Sequence, residues 1–352
     1  MNKQLLEIYS DYLISSFSHT TATGLSAVLD NKISHDKITR FLSASDYDSK
    51  ALWLLVKNQV RAVENKEACI IFDDTIQEKA YTDENEIITW HFDHTKNRTI
   101  KGVNILNCLY STDEADIPVA FEIIRKDIWF SDLKTRKTKR KSEVTKNELM
   151  RDMLRVCRKN QIKYKYVLAD SWFSSKDNMS FIKLDLKKDF IMALKTNRIV
   201  ALSMEDKKKG RFVKISSLRL RKNTAKTVYL KGLDFPVSLL KQVFTNKDGS
   251  SGILYLICSD ENLSYDKITA IYQKRWNVEV FHKSIKSNAC LAKSPTRTLR
   301  TQSNHFFASI YSFFKLEMLK IKHNLNHFAL RAKIYIAAIK AGHKQLQKLN
   351  NA

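Results

Sequence analysis

Apolar positions change period along the chain. Residues 1 to about 62 repeat them every three or four positions, the spacing that lines one face of a helix. Within that region "TATGLSAVLDNKISHDKITRFLS" predicts a short helix, a turn at Asp30-Asn31-Lys32 and a second helix. Ser34 can cap the second helix, with Ile38, Phe41 and Leu42 turned inward and His35, Lys37, Thr39 and Arg40 outward. The pattern fits a helix-turn-helix entering a major groove, and equally a plain helical hairpin.

From about Glu67 the period shortens. "ACIIFDDT", "EIITWHFD", "TIKGVNILNCLYS" and "IPVAFEII" predict an antiparallel meander. The basic run "KTRKTKRK", Lys134 to Lys141, reads as a solvated, mobile loop, or as DNA-channel wall that touches backbone without reading sequence. A helix follows in "SEVTKNELMRDMLRVCRKN", with Leu149, Met153, Val156 and Cys157 at helical spacing. Then come the buried strand "YKYVLADS", a helix from Ser174 to about Lys187 and the strand "DFIMALKT". The order β-β-β-α-β-α-β predicts an α/β fold with a mixed sheet. Residues 196–263 alternate like strands and read as a β-rich insertion, and helix resumes at Tyr265 and runs on to the C-terminus. With only 7 Gly and 3 Pro there are few obvious linkers, so boundaries follow the changes of pattern. The expected units are a helical DNA-binding region (1–64), a catalytic domain (65–195 with 264–300), the insertion (196–263) and a C-terminal helical region (301–352).

Charge narrows the class of partner. Against 61 Lys and Arg stand 37 Asp and Glu, a formal net of +24. Such an excess favours a polyanion, because each phosphate neutralised releases condensed counterions. The five cysteines are scattered, with no CxxC or Cys/His cluster, which argues against structural zinc and a disulfide framework and fits a reducing cytosol. The N-terminus lacks a secretory cleavage pattern, and no apolar run approaches the roughly 18 to 20 residues of a membrane span, so a cytoplasmic protein is expected.

Candidate chemistry lies where acids end apolar strands. In "CIIFDDT" the run closes on Asp73-Asp74-Thr75, and in "YVLADSWF" on Asp170. A carboxylate there projects into the crevice beside a sheet, although Asp after a strand also opens turns. A third acid, Glu279, lies in "YQKRWNVEVFHKSIK". Read as one helix, Tyr272, Arg275, Glu279 and Lys286 fall within an arc of roughly 60°, bordering the apolar Ile271, Val278, Phe281 and Ile285. Converging carboxylates without histidine or cysteine make a hard-oxygen site suited to Mg²⁺ or Mn²⁺. Two such ions, about 4 Å apart, suit in-line phosphoryl transfer. Arg275 can fork onto a phosphate, with Lys286 and the Tyr272 hydroxyl holding others.

Other residues have readier structural roles. His91 and His94 point to opposite sides of a strand and make a poor metal pair. Lys101-Gly102 suits either close approach of backbone to DNA or a strand bulge. Trp129, Trp172 and Trp276 are expected in the core, with stacking on an unpaired base as the alternative.

Tyr272, Arg275, Glu279 and Lys286 reproduce the Y-(2)-R-(3)-E-(6)-K signature, and the chain resembles bacterial insertion-sequence DDE transposases of the IS-four type. Asp73-Asp74-Thr75 is similar to that family's D-x-T motif and "VLADSWF" to its second motif, over roughly residues 65 to 300. The resemblance implies a ribonuclease-H-like fold with a β-rich insertion. It also implies Asp73, Asp170 and Glu279 as catalytic metal ligands, and Tyr272, Arg275 and Lys286 as contacts to the transposon end. D-x-T spacing favours Asp73 as first ligand, while strand alternation leaves Asp74 open. The implied reaction nicks the element's end and joins the freed 3′ hydroxyl to target DNA. Its partners would be terminal inverted repeats, target duplex and a second copy of the chain. The rival expectations are a nuclease of the same fold without joining, and a DNA-binding protein that keeps the fold as scaffold.

Overall fold

Each of the four N-terminal helices begins on a side-chain cap that satisfies a free amide of the first turn. In the computed structural model, which describes residues 2–44, 46–93, 96–133, 136–221, 223–245 and 248–351, Asn2 caps α1 (Lys3–Ser15) and Thr21 caps α2 (Ala22–Val28). Ser34 caps α3 (His35–Ser43) and Asp48 caps α4 (Ser49–Val63). The expected turn is present between α2 and α3, with Asp30 and Asn31 in the left-handed region. Ile38, Phe41 and Leu42 are buried, and His35, Lys37, Thr39 and Arg40 face solvent.

The strands follow as β1 (Cys69–Glu78), β2 (Thr89–Asp93), β3 (Arg98–Ser111), β4 (Asp116–Ile123), β5 (Ile128–Asp132) and β6 (Lys137–Lys141). After α5 (Lys146–Lys159) come β7 (Tyr166–Ala169), α6 (Lys176–Ser180), which runs into a π-helical turn at Phe181–Asp185, and β8 (Asp189–Leu194). Next are β9 (Ile199–Ala201), α7 (Met204–Lys208), β10 (Val213–Lys214), β11 (Ala225–Leu230), β12 (Val237–Thr245) and β13 (Ser251–Cys258). The chain closes with α8 (Tyr265–Gln273), α9 (Trp276–Ser287), α10 (Leu299–His323) and α11 (His327–Asn350).

At the centre the strand order is β4-β3-β1-β7-β8, with β1, β7 and β8 mutually parallel and β3 and β4 antiparallel to their neighbours. This mixed α/β sheet, with helices before and after it, is ribonuclease-H-like. The meander expected of the first strands is rearranged. The long β3 pairs with β1 along one edge and shares the other between β2 and β4. Gly102 stands at the crossing, opposite both Glu78 and Thr89. A Cβ there would meet the carbonyl oxygen of Gln77 at 2.3 Å, so the glycine serves packing of strand on strand rather than DNA approach or a bulge. The inserted strands extend the same sheet, because β13 pairs antiparallel with β8.

The basic run adopts structure where a mobile loop was expected. Its described part belongs to a two-stranded ribbon of β5 and β6, with Trp129 directly opposite Arg140 and the guanidinium 4.0 Å from the ring centroid; Lys134 and Thr135 lie outside the described residues. On α5 the buried stripe is Met150, Met153, Leu154 and Cys157, while Val156 faces solvent. Two apolar stripes overlap there, and docking on the sheet selects one.

Helices distant in sequence share one layer. α10 is buried from Phe306 to Phe314 along most of its circumference. Tyr9 of α1 meets His305 at 3.0 Å, and Asn304 donates to the Leu42 carbonyl of α3. Arg331 of α11 donates to the carbonyls of Ile14 and Asn288, fastening the root of that helix. Among the described residues no helix is long and apolar enough to cross a membrane.

Candidate active site

The parallel pairing of β1 and β7 ends at Phe72 opposite Ala169. The next residues are Asp73, at mid-length of β1, which runs on to Glu78 where the sequence suggested that it closed, and Asp170, just past the end of β7, so the two stand side by side where β7 stops. Asp73 Oδ1 accepts from the Asp74 amide at 2.9 Å, and Asp170 Oδ1 from the Trp172 amide at 2.9 Å. Alternation along β1 sends Asp73 and Asp74 to opposite faces. Asp74 turns toward α5, accepting from Lys146 Nζ at 2.8 Å and from Asn104 at 2.7 Å. Asp73 turns toward α9, where Arg275 Nη1 lies 3.9 Å from its Oδ2.

The helix that carries the third acid is not continuous. α8 ends at Gln273 and α9 starts at Trp276, joined by tight turns in which Lys274 and Arg275 bond back to Ile271 and Tyr272. The break places Arg275 at the head of α9, with its Nη2 2.7 Å from Glu279 Oε1. Arg275 thus bridges Glu279 and Asp73, and its Nε is buried without a hydrogen-bond partner among the described residues. Tyr272 is buried and its hydroxyl faces the Ala169 carbonyl at 3.5 Å. Lys286 Nζ donates to Thr75 Oγ1 at 2.6 Å and to the Ile76 carbonyl at 3.1 Å, so it is tied to β1. Behind these residues Val278, Phe281 and Ile285 are fully buried and hold α9 on the sheet.

Electrostatics mark the Asp73 side as crowded with negative charge. Burial, then the charges of Asp170 and Asp74, push the Asp73 carboxyl up to about 7, against the pull of Arg275. Burial also raises the Tyr272 phenol to about 12 and holds the Lys286 ammonium below its usual range. His282, one turn beyond Glu279, is pushed down to about 3 by burial and by the charges of Lys286 and Arg275. It is therefore neutral, and its Nε2 meets the amide of Asn107 at 3.0 Å, the residue paired with Asp73 across β1 and β3.

Several of these residues had no signal in the sequence. Lys146 and Asn104 carry no motif and matter only because α5 and β3 bring them to Asp74. The tryptophans reverse an expectation: Trp129, Trp172 and Trp276 are all half exposed, not core. Trp172 lies beside the site, with Lys146 Nζ 4.8 Å and Lys195 Nζ 5.4 Å from its ring centroid. His91 is buried and pairs with Thr89 at 2.9 Å, a structural contact; His94 lies outside the described residues.

The donor set is carboxylate oxygen, which suits a hard divalent cation, and the crowding that raises Asp73 is what such a cation would relieve. Among the described residues no group of three or more His, Cys, Asp and Glu side chains is gathered closely enough to hold an ion. Glu279 is engaged by Arg275 instead. Asp73 and Asp170 offer carboxylate oxygens from neighbouring strands, and Glu279 could join them only with that ion pair open.

The family model for the DDE superfamily endonuclease matches residues 2–213, more than half the chain, and the protein belongs to that family. Residues 138–312 are similar to the transposase DDE domain, a stretch that holds Asp170, Arg275 and Glu279. No curated protein sequence matches the chain.

Proposed function

We propose that the protein is an insertion-sequence transposase of the IS-four type that nicks DNA at the element's ends and joins the freed 3′ hydroxyl to target DNA. One observation carries the reading. Asp73 and Asp170 follow the last paired residues of the parallel strands β1 and β7, and Arg275 links Asp73 to a glutamate on the helix above.

In this reading Asp73, Asp170 and Glu279 hold Mg²⁺ or Mn²⁺, with two ions per site. Bound there, the ions supply Lewis-acid activation of the attacking oxygen and charge stabilisation at the leaving oxygen. The chain's own residues do the positioning. Arg275, freed from Glu279, presents a forked donor to a phosphate of the transposon end, and its unpartnered Nε gains an acceptor. Lys286 and Tyr272 line the same border of β1 and β7. Lys286 adds a point charge, and Tyr272 a hydroxyl whose high pKa keeps it a donor. The net charge of +24 suits a protein that holds end and target duplexes together. Cutting and joining two ends needs two sites, so the working form is a homodimer on DNA, with the N-terminal helices reading the terminal repeats.

The test incubates the protein with duplexes carrying its element's terminal repeats and a target plasmid in Mg²⁺. Joined products support a transposase, and nicks without joining make it a nuclease. Asp170→Asn should abolish both products while DNA binding survives. Binding with no cleavage by the unaltered protein in either metal would leave only a scaffold.

A further inference from the structure

The ribbon of β5 and β6 takes no part in the site above. We propose that it is a DNA-binding arm, gripping duplex backbone beside the cleavage site and setting its exposed apolar side chains against the base steps. The proposal rests on the DNA-acting reading and adds a contact surface to it.

Side chains directly opposite each other share a face. One face carries Ile128 with Lys141, Phe130 with Lys139, and Asp132 with Lys137; the other carries Trp129 with Arg140, and Ser131 with Thr138. The second face is fastened to the body. Arg140 stacks on Trp129 at 4.0 Å, donates to the Lys126 carbonyl at 3.3 Å and pairs with Glu84 at 3.4 Å. A two-stranded ribbon is marginal by itself, so this bracing is what holds it in shape.

The first face is largely exposed, with Lys139 paired to Asp132 and Lys141 Nζ 5.7 Å from the Phe130 ring centroid. Lys137, Lys139 and Lys141 are exposed, and same-face neighbours on a strand repeat about every 6.8 Å. That is close to the spacing of successive phosphates along one nucleic-acid strand. One carboxylate, Asp132, shares this face and pairs with Lys139. Ile128 and Phe130 lie between the lysines, each more than a third exposed, and Leu133 at the turn is 94% exposed. Apolar groups among cations are poorly placed for water but suited to a groove, where leucine and phenylalanine serve as wedges between base steps. A two-stranded ribbon also fits the major groove in width.

Location and charge choose the occupant. The ribbon's second strand leads directly into α5, whose first residue, Lys146, contacts Asp74 next to Asp73. Duplex lying on the ribbon therefore continues toward the site. A second copy of the chain is a poor occupant, since it brings another +24 and would set lysines against lysines.

The test measures binding of a long duplex against salt, without divalent metal. Lys137→Glu/Lys139→Glu/Lys141→Glu should lower affinity about tenfold or more and cut the slope of log K against log salt by about 2 to 3. The same charge change at the exposed Lys333, Lys340 and Lys344 of α11 should leave the slope nearly intact. Leu133→Ser should weaken binding several-fold with the slope unchanged. An unchanged slope in the ribbon variant, or altered self-association in DNA-free sedimentation, would overturn the proposal. A protein that binds DNA through the ribbon yet never cleaves would keep it while ending the catalytic reading.

Discussion

Arg275 and Glu279 are joined across one turn of α9, Nη2 to Oε1 at 2.7 Å, and the same guanidinium stands 3.9 Å from Asp73. The arginine acts as counter-ion to two of the proposed ligands and is the group best placed for a phosphate. Arg275→Lys keeps a charge but loses the fork. Strand cleavage should fall by about two orders of magnitude, the usual cost of a lost site donor. Single-turnover nicking of an intact end checks this. Activity within twofold of the unaltered protein would remove Arg275 from the site.

The crowding at Asp73 has a signature in stability. Its carboxyl titrates near 7 in the fold against 3.8 in the unfolded chain, so between those values the folded state holds the extra proton. Stability of the metal-free protein therefore falls as pH rises through that window. Asp73→Asn should raise the melting temperature at pH 8, by up to a few kcal/mol of stability, and the gain should vanish toward pH 4. Melting curves against pH, in chelator, decide it.

Lys146 and Asp74 form a half-buried pair, with side chains 21% and 18% exposed. Lys146→Met strands a charged carboxylate beside Asn104 and should cost about 1–3 kcal/mol. Adding Asp74→Asn should recover most of that loss. Urea unfolding of the two singles and the double measures the coupling, and additive losses would show that the pair is not coupled.

Gly102→Ala places a methyl where the Gln77 carbonyl lies 2.3 Å away, so β1 and β3 must part. The expected loss is about 2 kcal/mol or more, within the range of overpacking and strain. Glycine at this crossing should therefore tolerate no side chain, whereas Gly210, with nothing near, is limited only by its positive φ.

Much of this protein was legible as pattern. Period-two runs gave the strands and period-3.6 runs the helices because burial of one face is a local requirement. Asp73 and Asp170 could be singled out because each is the first acid after an apolar run, although β1 continues past Asp73 to Glu78. Patterns that only packing resolves misled. Two apolar stripes on α5 look alike until the sheet selects Met150 over Val156, and an isolated tryptophan reads as core until its neighbours fail to cover it. The ribbon was invisible because its lysines suggest solvation, while Trp129 opposite Arg140 needs the hairpin to form first.

By itself the sequence determined the order of elements and the positive charge and named the candidate acids, since each depends on composition or on neighbours along the chain. Only the tertiary structure decided which face each acid serves, and that Asp73 shares Arg275 with Glu279 while Asp74 is neutralised by Lys146. The reason is physical. Facing depends on strand register and helix docking, and these are fixed by contacts between residues far apart in the chain.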